Sequence, residues 1–312
     1  MKTHSVAVTT LLAPIAWGTT YLTITQLLPP DRPFLVAALR VLPAGAMLAG
    51  VGLFGSGWRP RGRQWIHLAV LALFNFGIFF PLLITAVYRL PGGVAASMGG
   101  LQPLLVAGLS RLIRGVRPGR LDVGVGLAAA IGVAMVVRPG AAFDPVGVVA
   151  ALGANLSFSA GVVLTKALPP PEKRLAATGW QLLLSALVLV PLALALEGMP
   201  PAPTTGNIFG FAYLSLAATG LAFVLWFSGI KRLPVQAPPL LGLAAPVTGA
   251  ALGWMVLDEA LSTVQIAGFV ITIASIAYGT RIRSAQPGDG AAAPEVEGPW
   301  RGATPAAAAC RT

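Results

Sequence analysis

Arg40 is the residue of this chain best placed to do chemistry. It stands deep in an apolar run that begins at Phe34, ~10 Å along a helix from that end. A guanidinium at that depth has two fates. Its long side chain can reach back to the polar boundary, or it can face an internal cavity and pair with a carboxylate or another anionic group. The sequence leaves both open. A second tier of polar residues interrupts other apolar runs: Asn75, Gln102, Asn155, Ser159 and Gln181. Each can line a shared cavity or bond to a neighbouring helix, a contact of ~0.6 kcal/mol. Trp17, Tyr21, Trp180 and Trp226, with Phe79, Phe80 and Phe223, supply aromatic surface. That surface either packs against the surroundings or walls a cavity suited to planar, amphipathic solutes.

Acidic residues avoid the middles of these runs. Asp122 sits at one edge, and Asp31, Asp144, Glu197, Asp258 and Glu259 sit at the other. A proton relay within a membrane uses a buried carboxylate or histidine, so Glu259, at a mouth, is the coupling candidate, and exchange without coupling is equally open. His4 and His67 lie apart and Cys310 is the lone cysteine. No metal site, internal disulfide or cofactor is expected. A nucleophile with its base, an aspartate pair or a zinc-binding HExxH is missing too, which argues against an intramembrane enzyme.

The elements that must position these side chains follow from composition. The chain is 56% hydrophobic and 10% charged, with a mean hydropathy of +0.80. Soluble domains carry about 25% charged residues, so lipid is the solvent that fits. Apolar segments fall near 5–28, 34–54, 65–88, 92–111, 121–137, 145–166, 175–196, 207–230, 235–257 and 261–280. Their lengths suit a hydrocarbon layer of ~30 Å. The first is about twice a signal-peptide core in length and lacks a small-residue cleavage site, so it reads as a retained span.

A formal charge of +11 does not point to nucleic acid, because the basic residues alternate between loops. Clusters such as Arg59-Arg61-Arg63, Arg111-Arg114-Arg117-Arg120 and Lys173-Arg174 share one side, whereas Arg32, Arg89 and Arg138 occupy the other. The positive-inside rule makes the richer side cytoplasmic and puts both termini there, in a multi-pass protein of the cell membrane. Expected partners are the lipid bilayer and a small-molecule substrate, with a homodimer left open and no nucleic acid.

Self-similarity organises the ten runs. A shift of 143 places Gly77 and Phe80 on Gly220 and Phe223, Arg89-Leu90-Pro91 on Arg232-Leu233-Pro234, and Pro103 on Pro246. Gln181 meets Arg40 after a two-residue adjustment. Five spans per half is odd, so the halves must lie inverted, an arrangement that puts a binding site at the midplane between them. The expected fold is therefore an all-α integral membrane protein of ten transmembrane helices, two inverted five-helix repeats at 5–138 and 145–281. An Ala-, Pro- and Gly-rich stretch, 284–312, reads as a disordered cytoplasmic tail. Pro103 and Pro246 are hinge candidates, with plain helix curvature as the alternative.

Several motifs resemble the EamA family of the drug/metabolite transporter superfamily. They are Trp17-Gly18-Thr19-Thr20-Tyr21, Ala37-Ala38-Leu39-Arg40, Pro103-Leu104-Leu105 and Leu257-Asp258-Glu259-Ala260-Leu261. The resemblance covers about 5–280. Val116 stands where the first-repeat counterpart of Glu259 usually carries glutamate. Pro29-Pro30-Asp31-Arg32-Pro33 and Leu39-Arg40-Val41-Leu42-Pro43 look most like the PecM-like exporters of pigments or amino acids. The resemblance implies alternating-access export of amino acids or related aromatic metabolites. A nucleotide-sugar carrier of the same superfamily ranks second, and a membrane receptor or regulatory subunit is the reading from another class. Reporters inserted between 138 and 145 and at the C-terminus are expected on opposite faces of the membrane. Finding both on one face would overturn the inverted scheme.

Overall fold

The computed structural model describes residues 3–115, 117–136, 144–230, 241–242, 244–258 and 261–285. Those residues are helical with short connections, and no strand occurs among them. In order come α1 (Thr3–Gly18), α2 (Thr20–Leu27), α3 (Pro33–Ser56), α4 (Gln64–Ala72), α5 (Phe79–Arg89), α6 (Gly92–Ser97) and α7 (Gln102–Arg114). Then follow α8 (Arg120–Val136), α9 (Pro145–Ala167), α10 (Arg174–Glu197), α11 (Thr205–Ala212), α12 (Ala222–Ile230), α13 (Ala244–Leu257) and α14 (Thr263–Ala285).

Six continuous stretches among the described residues are long and apolar enough to cross a membrane. They are Val6–Leu27, Pro33–Ser56, Gln64–Arg89, Pro145–Ala167, Arg174–Glu197 and Thr205–Trp226, with Val123–Val136, Ala244–Leu257 and Thr263–Gly279 as shorter apolar helices. Large apolar side chains point outward, with Phe54 90% and Leu187 73% exposed, as lipid-facing positions require. Most of the expected tail, 286–312, lies outside the described residues, and Ser284 and Ala285 close α14.

Helix ends obey local chemistry. Asp144 caps α9, its carboxylate accepting from the N–H groups of Val146 and Gly147 ahead of Pro145 at the first turn. Proline suits that place because its missing donor would be an orphan there anyway. The Gly147 N–H, and then Arg89 in a 3.1 Å ion pair, hold the half-buried Asp144 carboxyl below its ordinary range. Glu197 reaches from the end of α10 to the free N–H groups of Phe34 and Leu35 at the start of α3. Thr204 and Asn207 form a capping box at α11, and Asn207 also donates to the Leu27 carbonyl.

Between lipid-facing helices there is no hydrophobic drive, so contact depends on close approach of backbones. The tightest seam joins α3 to α10. Gly45 lies against Leu182 and Leu183, Ala49 against Gly179, and Gly52 against Ala176. Numbers rise on one helix as they fall on the other, so the pair is antiparallel. A second antiparallel seam joins α8 to α14, where Val125 meets Gly279 and Gly132 meets Gly268 and Thr272. Each seam unites two helices that the 143-residue shift makes equivalent.

A β-carbon on Gly179 would strike the Ala49 backbone, whereas one on Gly55 would meet nothing within 4 Å. Gly179→Ala is therefore expected to cost about 1–3 kcal/mol and Gly55→Ala to be neutral or stabilising, compared as melting temperatures in detergent. Equal melting of the two variants would contradict this account of the seam.

Candidate functional site

Four of the apolar runs are not uniform α-helix. Thr19 is a turn between α1 and α2, and Leu73–Gly77 is a π-helical segment between α4 and α5. Met98–Leu101 is a 3-10 turn between α6 and α7, and Tyr213–Leu221 is a second π segment between α11 and α12. The two π segments overlap under the 143-residue shift. Altered helical pitch changes which way side chains point and often marks function. Inside lipid it is tolerated only where protein or a cavity supplies partners for the freed backbone.

These breaks converge on one cavity of about 800 Å3. Trp17, Thr20 and Tyr21 flank the first break, Asn75 and Phe76 come from the first π segment, Gln102 follows the 3-10 turn, and Ala218 and Thr219 come from the second π segment. Arg40 enters from α3 and Asn155 and Phe158 from α9. Arg40 is the one charged residue among the described lining residues.

Arg40 does not reach back to the boundary: it is 3% exposed. Its Nε donates to Thr219 Oγ1 at 3.0 Å, and Nη2 reaches Thr20 Oγ1 at 3.5 Å. The guanidinium lies 4.4 Å from the centre of the Phe80 ring, a cation–π contact that partly replaces hydration. Nη1 has no hydrogen-bond partner among the described residues. Thr219 is fixed in turn, donating to the Leu214 carbonyl five residues back at 2.8 Å, within the π segment.

The other candidates divide. Trp17, Tyr21, Asn75, Gln102, Asn155 and Trp226 line the cavity with Arg40. Trp17 packs against Trp226 with ring centres 5.3 Å apart, and Phe79 against Phe158 at 5.0 Å. Gln181 stands behind the wall, buried, where its Oε1 accepts from Asn75 at 3.4 Å. Ser159 is fully buried in α9 outside the lining, its hydroxyl without a partner among the described residues. Trp180 also stands apart, edge-on to Trp65 at 5.1 Å near the start of α4. Gln181, Ser159 and Trp180 thus stand outside the lining in which the sequence expectation placed them.

Pro103 falls in the first turn of α7, directly after the 3-10 turn, and Pro246 early in α13, lining the cavity. Glu259 lies outside the described residues. Sequence reasoning missed Thr20, Thr219 and Thr272 as lining residues. Thr219 adjoined the repeat landmark Gly220, and Thr20 lay within the quoted Trp17–Tyr21 motif, so the signal existed for both.

The cavity reaches Thr178, one turn after Arg174 in α10, and Ile276 and Gly279, near Arg281 and Arg283 in α14, which are the basic ends of those helices. At the opposite end polar links tie the helices together. Arg89 pairs with Asp144, Arg32 donates to the Met199 carbonyl, Tyr88 Oη donates to the Pro29 carbonyl, and Glu197 holds the start of α3.

The model of the EamA-like transporter family matches residues 4–138 and again 145–279. The chain belongs to that family. Protein PecM of Dickeya dadantii (strain 3937) is 38% identical over 85% of this chain and 88% of its own length. The protein named Probable amino-acid metabolite efflux pump of Salmonella typhimurium is 25% identical, over 88% of this chain and 95% of that one. The inner membrane transporter YedA of Escherichia coli (strain K12) is 23% identical, over 88% and 90%. A solved crystal structure of a protein shares the fold with a TM-score of 0.62 at 23% identity, over 90% of this chain and 97% of that one.

Thr219→Val keeps the side-chain shape and removes the acceptor for Arg40 Nε. A loss of about 1–3 kcal/mol is expected, read as a lower melting temperature in detergent. Thr25→Val should be near neutral, because that exposed hydroxyl bonds only along its own helix.

Proposed function

We propose that this protein exports small amphipathic metabolites, amino acids or related aromatic compounds, across the inner membrane by alternating access. One observation carries the reading. The helix breaks, the deep Arg40 and the aromatic pairs all face a single internal cavity, near the seams between the halves. Ten spans in two inverted repeats, both termini cytoplasmic, is the arrangement that fits, supported by the antiparallel packing of equivalent helices. In that frame the basic ends of the helices are cytoplasmic. The cavity then extends toward the cytoplasm while the polar links close the far side, which is an inward-facing state. Export requires those links to part and the α3–α10 and α8–α14 seams to rock, as in other repeat-built carriers.

A nucleotide-sugar carrier would need several cations to meet its phosphates. Arg40 alone serves among the described lining residues, so the geometry gives that reading no support. The name of the Salmonella relative, a probable amino-acid metabolite efflux pump, agrees with export of small molecules.

The test is a growth screen. Overexpression in a sensitive bacterium is expected to raise resistance to some members of a panel of amino acids, their analogues and dyes. Arg40→Ala should abolish resistance to carboxylate-bearing compounds at unchanged membrane abundance. An unaltered phenotype in a well-expressed Arg40→Ala strain would reduce this side chain to an anchor.

A further inference from the structure

We propose that the transported species is an aromatic monoanion, bound through its carboxylate or sulfonate by Arg40, and that the membrane potential rather than a proton drives it out. This rests on the export reading above and narrows it, from amino acids, which are net-neutral zwitterions, to related aromatic compounds that carry one net negative charge.

The first ground is an incomplete coordination shell. Nε is committed to Thr219 and Nη2 is only weakly engaged by Thr20, while Nη1 is buried and unpartnered among the described residues. An anionic group with two oxygens completes such a fork in bidentate fashion. The second ground is charge. Arg40 is the sole charged side chain in the described lining, and the titratable groups beside it are the phenols of Tyr21 and Tyr213. A buried cation without a counterion is costly in the empty site. One negative charge on the substrate cancels that cost. A neutral solute leaves it standing, a dianion leaves an excess of the other sign, and a cation doubles the repulsion. Shape is the third ground. Phe80 faces the guanidinium at 4.4 Å, and Trp17, Trp226, Phe79 and Phe158 form edge and tilted pairs in the wall. That wall suits a planar apolar body held by an anionic handle.

The driving force follows. Nothing in the described lining exchanges a proton near neutral pH, so substrate negative charge crosses uncompensated. A potential of about 100 mV, negative inside, then sustains an outward concentration ratio of about 50-fold for a monoanion. That outcome holds whichever way the protein is inserted, because a uniporter's direction is set by the field alone. Export therefore needs no separate coupling site.

Permanently charged probes isolate the claim. Purified full-length protein in liposomes, loaded with naphthalene-2-sulfonate, is given a potassium gradient with valinomycin to set the potential. Faster efflux at inside-negative potential is expected, with no response to a pH gradient while the potential is clamped. Naphthalene-2-sulfonamide and a naphthyl-trimethylammonium salt should compete at least 10-fold less well than unlabelled sulfonate. Arg40→Gln should abolish sulfonate efflux, and Arg40→Lys should retain part of it with weaker apparent affinity. If Arg40→Gln does not fold, the wild-type charge selectivity and the potential response decide. Efflux that follows the pH gradient under clamp, or equal competition by the neutral sulfonamide, overturns the proposal but leaves the export reading intact. Failure of all three probes to move or compete, in protein that also confers no resistance in the growth screen, sinks both.

Discussion

A guanidinium buried in a bundle of apolar helices is the constraint around which the cavity is built. Arg40 is tolerated because three elements bring it partial substitutes for water: a hydroxyl from the second π segment, a hydroxyl from α2, and the face of Phe80 from α5. None of the three carries a formal negative charge. The guanidinium is thus only partly satisfied, with Nη1 left without a partner among the described residues. A carboxylate in place of Thr219 would make a better ion pair and would also fill the position a ligand needs.

The helix breaks serve the same end. A regular α-helix binds all its own backbone groups and offers a ligand nothing but side chains. Where pitch changes, carbonyls come free, and neighbouring hydroxyls take them up. Ser157 donates to the Phe74 carbonyl and Ser185 to the Ala72 carbonyl, both at the first π segment. At the second, Ser215 accepts from the Ala44 N–H, next to Pro43, which has no N–H of its own to give. Small hydroxyl residues in α9, α10 and the π segments therefore hold non-helical backbone in place at membrane depth.

Much of this was legible in the chain. Apolar length alone located α3, α9 and α10. The depth of Arg40 along its run was legible, but whether it reached back or turned inward was not, since an arginine can snorkel and its partners lie 20 and 179 residues away. The π segments were illegible because Leu73–Gly77 and Tyr213–Leu221 are as apolar as the helices around them; only tertiary partners such as Ser157 and Ser185 make the altered pitch affordable. Trp180 and Ser159 were misplaced because hydrophobic periodicity in a lipid-embedded helix is weak. Lipid and core are both apolar, so the face turned toward the cavity leaves little trace in residue type.

Two polar contacts correspond between the halves, and one of the correspondences differs in charge. Ala44 with Ser215 answers, within two residues, to Ser185 with Ala72, and Arg40 with Thr219 answers, within two residues, to Gln181 with Asn75. A frame built from equivalent halves makes the two extreme states of a carrier similar in energy, because each state reuses the other's contacts with the halves exchanged. A second arginine at position 181 would complete the symmetry but place two uncompensated cations around one cavity. Glutamine keeps the size and the hydrogen-bonding capacity and drops the charge. On the export reading proposed above, such a frame stays nearly balanced between states, and the single charge of Arg40 selects what the cavity accepts in either of them.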